Sequence, residues 1–471
     1  MQEMVLFFLT AGGEKMARFI MEKRVFIKAF WIGLSMGAVV SCVCRAQVEE
    51  FTLSYEQVIQ NTMKPFEGPC HPEADVSTLS GKVMCGYQGW FTCPGDGSAM
   101  GWFHWGLPTS APATEFCPGR CKIDLWPDMS EYDSRSRVPT LFRHANGETA
   151  YVYSSMDPAV ADLHFRWMKE YGIDGVFVQR FAAQTFKPME FSNVNIVLAN
   201  CRAAANRYGR AYALMYDLSG MRSSQFEHIL NDVRLLADKM RLFDDPADKA
   251  YLHHRGKPLI AVWGVGFGDR RQYGLKDCER LIRFLKTDPQ YGKFSVMLGV
   301  PTYWREQGAD AVKDKDLHRI LQMADLISPW TVGRVKNCEE VHRILASVWR
   351  EDILWCENHQ IEYVPVVFPG FSWHNMHGGP LNQIPRCKGQ FFWTQIFTAK
   401  KAGAEMIYVA MFDEVDEATA IYKCTNNPPV GESAFLTYEG LPSDYYLRLA
   451  GRAGKLLRSE IPLSESLPLS P

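Results

Sequence analysis

The sequence predicts an α/β fold, a (β/α)8 TIM-type barrel with a long insertion between strand 1 and strand 2. Eight short β-branched and apolar runs alternate with longer amphipathic stretches, which is the punctuation of successive βα units. After the second run the spacing settles at roughly 30 to 45 residues, enough for one strand, one helix and their loops. No short repeat or low-complexity segment breaks the alternation before the tail. A doubly wound open sheet is the other arrangement this pattern allows.

The first four runs are "KVMCGYQGWF" from Lys82, "GVFVQRF" from Gly175, "AYALMYDLSG" from Ala211 and "PLIAVWGVGF" from Pro258. "FSVMLGVPTYW" from Phe294, "ADLISPWTVG" from Ala324, "YVPVVFPGFSW" from Tyr363 and "EMIYVAMFDE" from Glu405 complete the eight. Helices are expected between them. "DPAVADLHFRWMKEYGI" opens on Asp157 and Pro158, a capping residue followed by the residue whose fixed φ suits a first helical turn. "VNIVLANCRAAANRYG", from Val194, ends on Gly209, a helix-stop residue.

The spacing fails between the first two runs. The stretch from Thr92 to Gly172 is far longer than a βα loop needs, and it contains "PGDGSAMGWFHWG" and "IDLWPDMSEYDSR". Within it "TLFRHANGETAYVYSS" reads as two strands around an Asn146–Gly147 turn. Barrel enzymes keep their sites at the C-terminal ends of the strands. The insertion is therefore expected to overhang the site and line it with Trp102, His104, Trp105 and Trp126, or else to pack those aromatics into a core of its own.

Composition limits the function. The 471 residues are 47% apolar and 22% charged, which suits a folded chain with a large core. A net charge of −2 without a Lys/Arg block removes the electrostatic case for nucleic acid or an anionic membrane. From Met21, basic residues, an apolar stretch and then small residues read as a secretory signal. Residues 1–46 are accordingly assigned to targeting, 47–460 to the barrel with its insertion at about 92–155, and 461–471 to a tail. "VVSC" offers a lipid anchor at Cys42, the one route to a membrane; the expected product is exported and periplasmic, extracellular or outer-membrane anchored. Of the thirteen cysteines only Cys93, Cys117 and Cys121 lie close together, so one loop-stapling disulfide is expected, with free buried thiols as the alternative. A monomer without cofactor or metal is expected.

The residues that end each run carry the chemistry. They are Tyr87, Gln88 and Trp90; Gln179 and Arg180; Tyr216 and Asp217; Trp263; Tyr303, Trp304 and Arg305; Trp330; and Trp373 and His374. In a barrel these converge on one mouth. Aromatic faces cover the C–H faces of pyranoses and polar groups satisfy hydroxyls, so the expected partner is a carbohydrate. The eighth run ends in Asp413, Glu414, Asp416 and Glu417. Glycoside cleavage needs a proton donor and a second group across the sugar, usually both carboxyls. If the strand turns into a loop after Phe412, Glu414 and Glu417 both face the mouth, and their crowding pushes one pKa upward, as a general acid requires. Asp413, Asp416 and Glu417 could instead hold Ca2+, but the segment lacks the Gly and alternating oxygen donors of an EF-hand loop. Asp217 is a candidate to bind a hydroxyl or tune the acid, or else simply a turn former before Ser219 and Gly220.

"GIDGVFVQ" after a helix ending "WMKEY", with "YALMYDLSG", "PLIAVWG" and a closing "FDEVDEATAI", resembles glycoside hydrolase family 99 and its relative, family 71. The likeness covers most of residues 84 to 421. Family 99 contains endo-acting α-mannosidases and mannanases on a (β/α)8 barrel. Its closing motif reads approximately F-N-E-W-H-E-G-T, where this chain has Phe412, Asp413, Glu414, Val415, Asp416, Glu417, Ala418 and Thr419. The resemblance implies that Glu414 is a general base acting on the sugar's own 2-hydroxyl, giving a 1,2-anhydro sugar and overall retention. It implies that Glu417 is the general acid and then the base for water. Asp413, Val415, Asp416 and Ala418 depart from the motif and bear on which sugar is accepted. The expected function is glycosidic cleavage in a poly- or oligosaccharide, with an α-mannoside as substrate. A xylosidase or arabinosidase, and a carbohydrate-binding barrel without catalysis, are the alternatives.

Overall fold

In a computed structural model that describes residues 45–71 and 74–469, the chain winds into eight parallel barrel strands. They are β1 Val83–Tyr87, β2 Gly175–Phe181, β3 Ala211–Asp217, β4 Lys257–Trp263, β5 Ser295–Pro301, β6 Leu326–Trp330, a split β7 and β8 Ile407–Val409. Each strand pairs with its sequence neighbour, and β1 pairs with β8 through Val83 and Ile407. The ring closes through β7, which consists of two short segments. Glu362–Tyr363 lies against β6 and Val366–Val367 against β8. Between them Val364 N–H donates to Ile327 O and Tyr408 N–H to Pro365 O, so the strand changes partner at a proline that has no N–H to lose. The eight runs in the sequence are thus the eight strands of a closed barrel, and the open-sheet alternative is not formed.

A helix follows every strand: α1 Pro158–Tyr171, α2 Pro188–Tyr208, α3 Phe226–Asp238, α4 Leu275–Thr287, α5 Leu317–Leu321, α6 Ala346–Asn358, α7 Gln390–Ala402 and α8 Tyr445–Leu457. Asp157 caps α1 by accepting from Ala159 N–H at 2.9 Å, and Gly172 ends it in the left-handed region. α2 stops at Gly209 as read from the sequence, but starts six residues before Val194, at a proline in its first turn. None of the helices among the described residues is long and apolar enough to cross a membrane. The targeting segment up to residue 44 and the anchor position Cys42 lie outside the described residues.

The insertion forms the expected hairpin, Val138–Arg143 against Thr149–Val152. It is tied to the barrel mouth from both sides. Asp124 and Leu125 N–H groups donate to Val415 O, just past β8, and Ser155 N–H donates to Phe91 O, just past β1. Its aromatics pack on one another: Phe116 stacks on Trp126, and Trp105 lies 4.3 Å from Phe91 between ring centroids. Cys117 is disulfide-bonded, whereas Cys93 and Cys121 keep free thiols.

Candidate active site at the mouth of the barrel

The chain leaves β8 at Val409 and folds back on itself at once. Thr419 and Ala420 N–H groups both donate to Glu414 O, and Tyr422 N–H donates to Phe412 O. This compact loop turns the side chains of residues 413–417 in different directions. Asp413 faces the end of β1, where its two oxygens accept the backbone N–H groups of Gln88 and Gly89, each at 2.8 Å. Gly89 has φ +58, and a Cβ there would overlap Val197 and Tyr87. The close approach of the β1 end to Asp413 therefore requires that glycine. Burial pushes the Asp413 pKa up to about 7 against the pull of those N–H donors.

Glu414 is 3% exposed. Its oxygens accept from Gln88 Nε2 at 3.0 Å and from Thr419 Oγ1 at 2.8 Å. Burial first, then the charges of Glu417 and Asp416, hold its pKa well above the carboxylate range. Glu417, half-buried, is the one member of the four with appreciable exposure. Burial and then the Asp416 charge push it up to about 8. The Trp373 indole N–H lies close enough to favour the ionised form without completing a hydrogen bond. Ser372 N–H donates to Glu417 O at 3.0 Å, which fastens this residue to the loop after β7. With four carboxylates crowded in a space with little water, the cluster retains protons near neutral pH.

Asp416 is fully buried and takes a different partner, the insertion. Its Oδ2 accepts from His104 Nδ1 at 2.7 Å, and its Oδ1 has no partner. His104 stacks flat on Trp90 at 3.6 Å between centroids. The buried Lys122 ammonium also sits in this neighbourhood: its charge lowers the Asp416 pKa, although burial, the larger effect, brings Asp416 up to about 7. Burial lowers the pKa of both Lys122 and His104. Lys122 carried no signal in the sequence, because nothing local marks a lysine that a distant loop will bury.

The strand ends sort by the alternation of the pleat. Gln179 points inward, donating to Tyr408 Oη at 2.8 Å, and Asp217 faces Arg271, whose charge lowers a carboxyl that burial raises. Tyr408 fits the interior because Gly86 has no Cβ to collide with its hydroxyl. Trp263 and Trp330 meet edge to face at 5.5 Å, with the Arg271 guanidinium 4.9 Å over Trp263. Trp90, Tyr303, Trp373 and His374 are half-buried. The His374 ring is tied to Gly379 O through Nδ1, and its backbone N–H, like that of Asn375, donates to Asp124.

Seven expected mouth residues are turned away from it. Tyr87 contacts His164 of α1 at 2.9 Å. Arg180 is locked to Asp232 of α3 and Asn195 of α2, and Tyr216 donates to the same Asp232. Trp304 and Arg305 both donate to Asp352 of α6, at 3.2 and 3.0 Å. Trp105 is fully buried in the insertion and donates to Tyr153 O, and Trp126 likewise donates to Tyr151 O. These side chains brace the strand–helix layer and the roof, as neighbours one residue along a strand must face opposite sides.

Two cavities lie nearby. One, of about 10 Å3, is bordered by Gln88, Trp90, Gln179 and Asn193 and touches the site. The larger, about 220 Å3, is lined by Asn382, Arg386 and residues 435–437 and 439 and includes none of the four carboxylates. Among the described residues no group of three or more His, Cys, Asp or Glu is arranged to hold a metal ion.

Closed parallel strands with a polar cluster at their C-terminal ends define a protein of the (β/α)8 barrel class. No family model and no curated protein sequence matches the chain. Among solved structures it is similar to the GH99 endo-α-mannosidase from Bacteroides thetaiotaomicron, with a TM-score of 0.57 and 15% identity over 81% of this chain and 99% of that one. A structure of that enzyme in complex with bis-tris-propane gives a TM-score of 0.55 at 15% identity, with the same coverage. At this identity the likeness establishes the shared fold, and it falls on the family that the sequence motifs resemble.

Proposed function

We propose that the protein is an exported glycosidase that cleaves an α-mannoside with retention of configuration, using Glu417 as general acid and Glu414 as general base. The observation that carries this reading is the β8 loop. It places two glutamates in one buried cluster, one of them reaching solvent and pushed up to about 8, the other braced by Gln88 and Thr419. A carboxyl with a pKa near 8 is protonated at neutral pH and can give its proton to the leaving glycosidic oxygen. A proton on Glu417 removes one of the charges that hold the Glu414 pKa up, and Glu414, once ionised, would take the proton of the 2-hydroxyl while that oxygen closes on the anomeric carbon, giving a 1,2-anhydro sugar. Glu417, now ionised, would then take a proton from the water that opens it. Trp263, Trp330 and Trp373 offer aromatic faces to the sugar rings, and Asp217 and Gln179 offer polar groups.

The test is digestion of a panel of yeast, plant and host glycans, with the anomer of the first-formed product read by NMR. Glu417→Gln is expected to reduce turnover by about 10²- to 10⁴-fold, the usual worth of a proton-transfer group, while glycan affinity stays within a few-fold. A second reading, a carbohydrate-binding barrel without catalysis, draws on the tightness of the cavity beside Gln88, about 10 Å3 and too small for a sugar ring. Wild-type protein that binds a glycan of the panel and cleaves none would favour it. The leader at residues 1–46 is tested by mass spectrometry of the mature N-terminus, which also reports lipid at Cys42.

A further inference from the structure

The 220 Å3 cavity lies between the loop that follows β7, which supplies Asn382 and Arg386, and the segment after β8, which supplies Phe435, Leu436, Thr437 and Glu439. Arg386 is 3% exposed. One of its nitrogens, Nη2, donates to the carbonyls of Ala418 and Ala420, both at 2.7 Å, and its plane packs against the rings of Tyr438 and Tyr446 at 4.8 and 4.5 Å. Its Nε and Nη1 are buried without a partner. Both nitrogens are sealed from solvent beside the equally unpaired Tyr446 hydroxyl; buried N–H groups are nearly always paired, so this unmet capacity on a residue that borders the cavity would turn to a ligand's acceptors through a shift of the side chain. Around it stand an amide, a hydroxyl, a carboxylate and an aromatic ring.

We propose that this cavity is a second carbohydrate-binding site, taking one neutral sugar ring whose hydroxyls pair with Arg386, Asn382, Thr437 and Glu439 while its C–H face lies on Phe435. The proposal rests on the carbohydrate reading above and adds a site that the acid/base loop does not contain. The lining holds one guanidinium and one carboxylate, whose charges cancel, so it favours a neutral ligand over an anion. It also mixes donors with acceptors, which suits hydroxyls, since each both donates and accepts. A volume of about 220 Å3 leaves room for a sugar ring. An occupant would touch the residue that grips the carbonyls on either side of Thr419, whose hydroxyl holds Glu414.

The experiment is calorimetric titration of the full chain with methyl glycosides of mannose, glucose, galactose, xylose and arabinose. Leu436→Trp fills the cavity. Asn382→Gly removes the amide at a position whose φ of +61 glycine accepts without strain. Both variants are expected to weaken binding of the preferred glycoside at least about tenfold with an unchanged melting temperature, while Trp373→Ala at the mouth leaves that binding in place. If Leu436→Trp lowers the melting temperature, Asn382→Gly decides. The proposal is overturned if no glycoside of the panel binds, if both cavity variants bind like the wild type, or if binding disappears only with Trp373→Ala. Protein that binds in the cavity but cleaves no glycan would refute catalysis and leave this site standing; cleavage without cavity binding would do the reverse.

Discussion

Of the four carboxylates between Asp413 and Glu417, Glu417 is the most exposed, so it is the best placed to give a proton to a ligand while the loop stays as it is. Its raised pKa fixes the sign of two pH effects. As the proposed acid it would work protonated, so kcat/KM is expected to fall as pH rises through about 8. Between its unfolded value near 4.5 and its folded value near 8 the native state holds the extra proton, so this group's contribution to stability is complete below 4.5 and lost by 8. Glu417→Gln cannot lose that proton; its stability relative to wild type should therefore rise across the same window, read by urea denaturation at each pH. Asp413 is a different case, since its oxygens hold the N–H groups of Gln88 and Gly89. Asp413→Asn keeps one acceptor and turns an NH2 toward the other N–H. The expected loss is about 1–3 kcal/mol of stability in the same assay. The acid/base candidates were legible in the sequence because carboxylates ending an apolar run are rare and local. Asp413's role was not, because it depends on a backbone 325 residues away.

At the level of elements, the strand ends show where sequence reading stops. All eight strands were legible from β-branched runs, since a strand buried on both faces is apolar throughout. The side to which a polar end residue points was legible too, had the pleat been applied: Gln179 and Asp217 face the axis, while their neighbours Arg180 and Tyr216 face the helices. Trp304 and Arg305 belong to a loop without that period, and their partner Asp352 sits on a helix some fifty residues on. The Arg180–Asp232 pair is fully buried, with Arg180 reaching Asp232 at 2.6 and 2.7 Å. Asp232→Ala would leave the guanidinium buried without its counter-charge. The expected cost is about 3–5 kcal/mol, measured by chemical denaturation. A mouth residue would instead change glycan affinity and leave stability nearly untouched.

Across the whole molecule, one residue of the insertion ties three separate segments together at the site. Asp124 N–H donates to Val415 O in the acid/base loop, and its carbonyl accepts Leu436 N–H from the segment after β8. Its carboxylate accepts the N–H groups of His374 and Asn375, at 2.7 and 2.8 Å, in the loop after β7. The insertion is thus a strut across the barrel mouth, and its length, which the sequence displayed, matters less than this one contact, which it hid among unremarkable polar residues. Asp124→Ala removes the carboxylate and leaves both backbone bonds. Two N–H groups lose their acceptor, and the loop carrying Trp373 is left with the Asn375 side-chain bonds to Ile123 O and Ala434 O, while Glu417 keeps its own backbone bond to Ser372. The expected result is a stability loss of about 1–3 kcal/mol and a rise in KM for the glycan larger than any fall in kcat. The proposed acid/base pair keeps its supports, whereas the aromatic face beside it loses part of its own. Steady-state kinetics on the substrate found by digestion would read that split. An equal fall in kcat with unchanged KM would mean that Asp124 positions the acid itself.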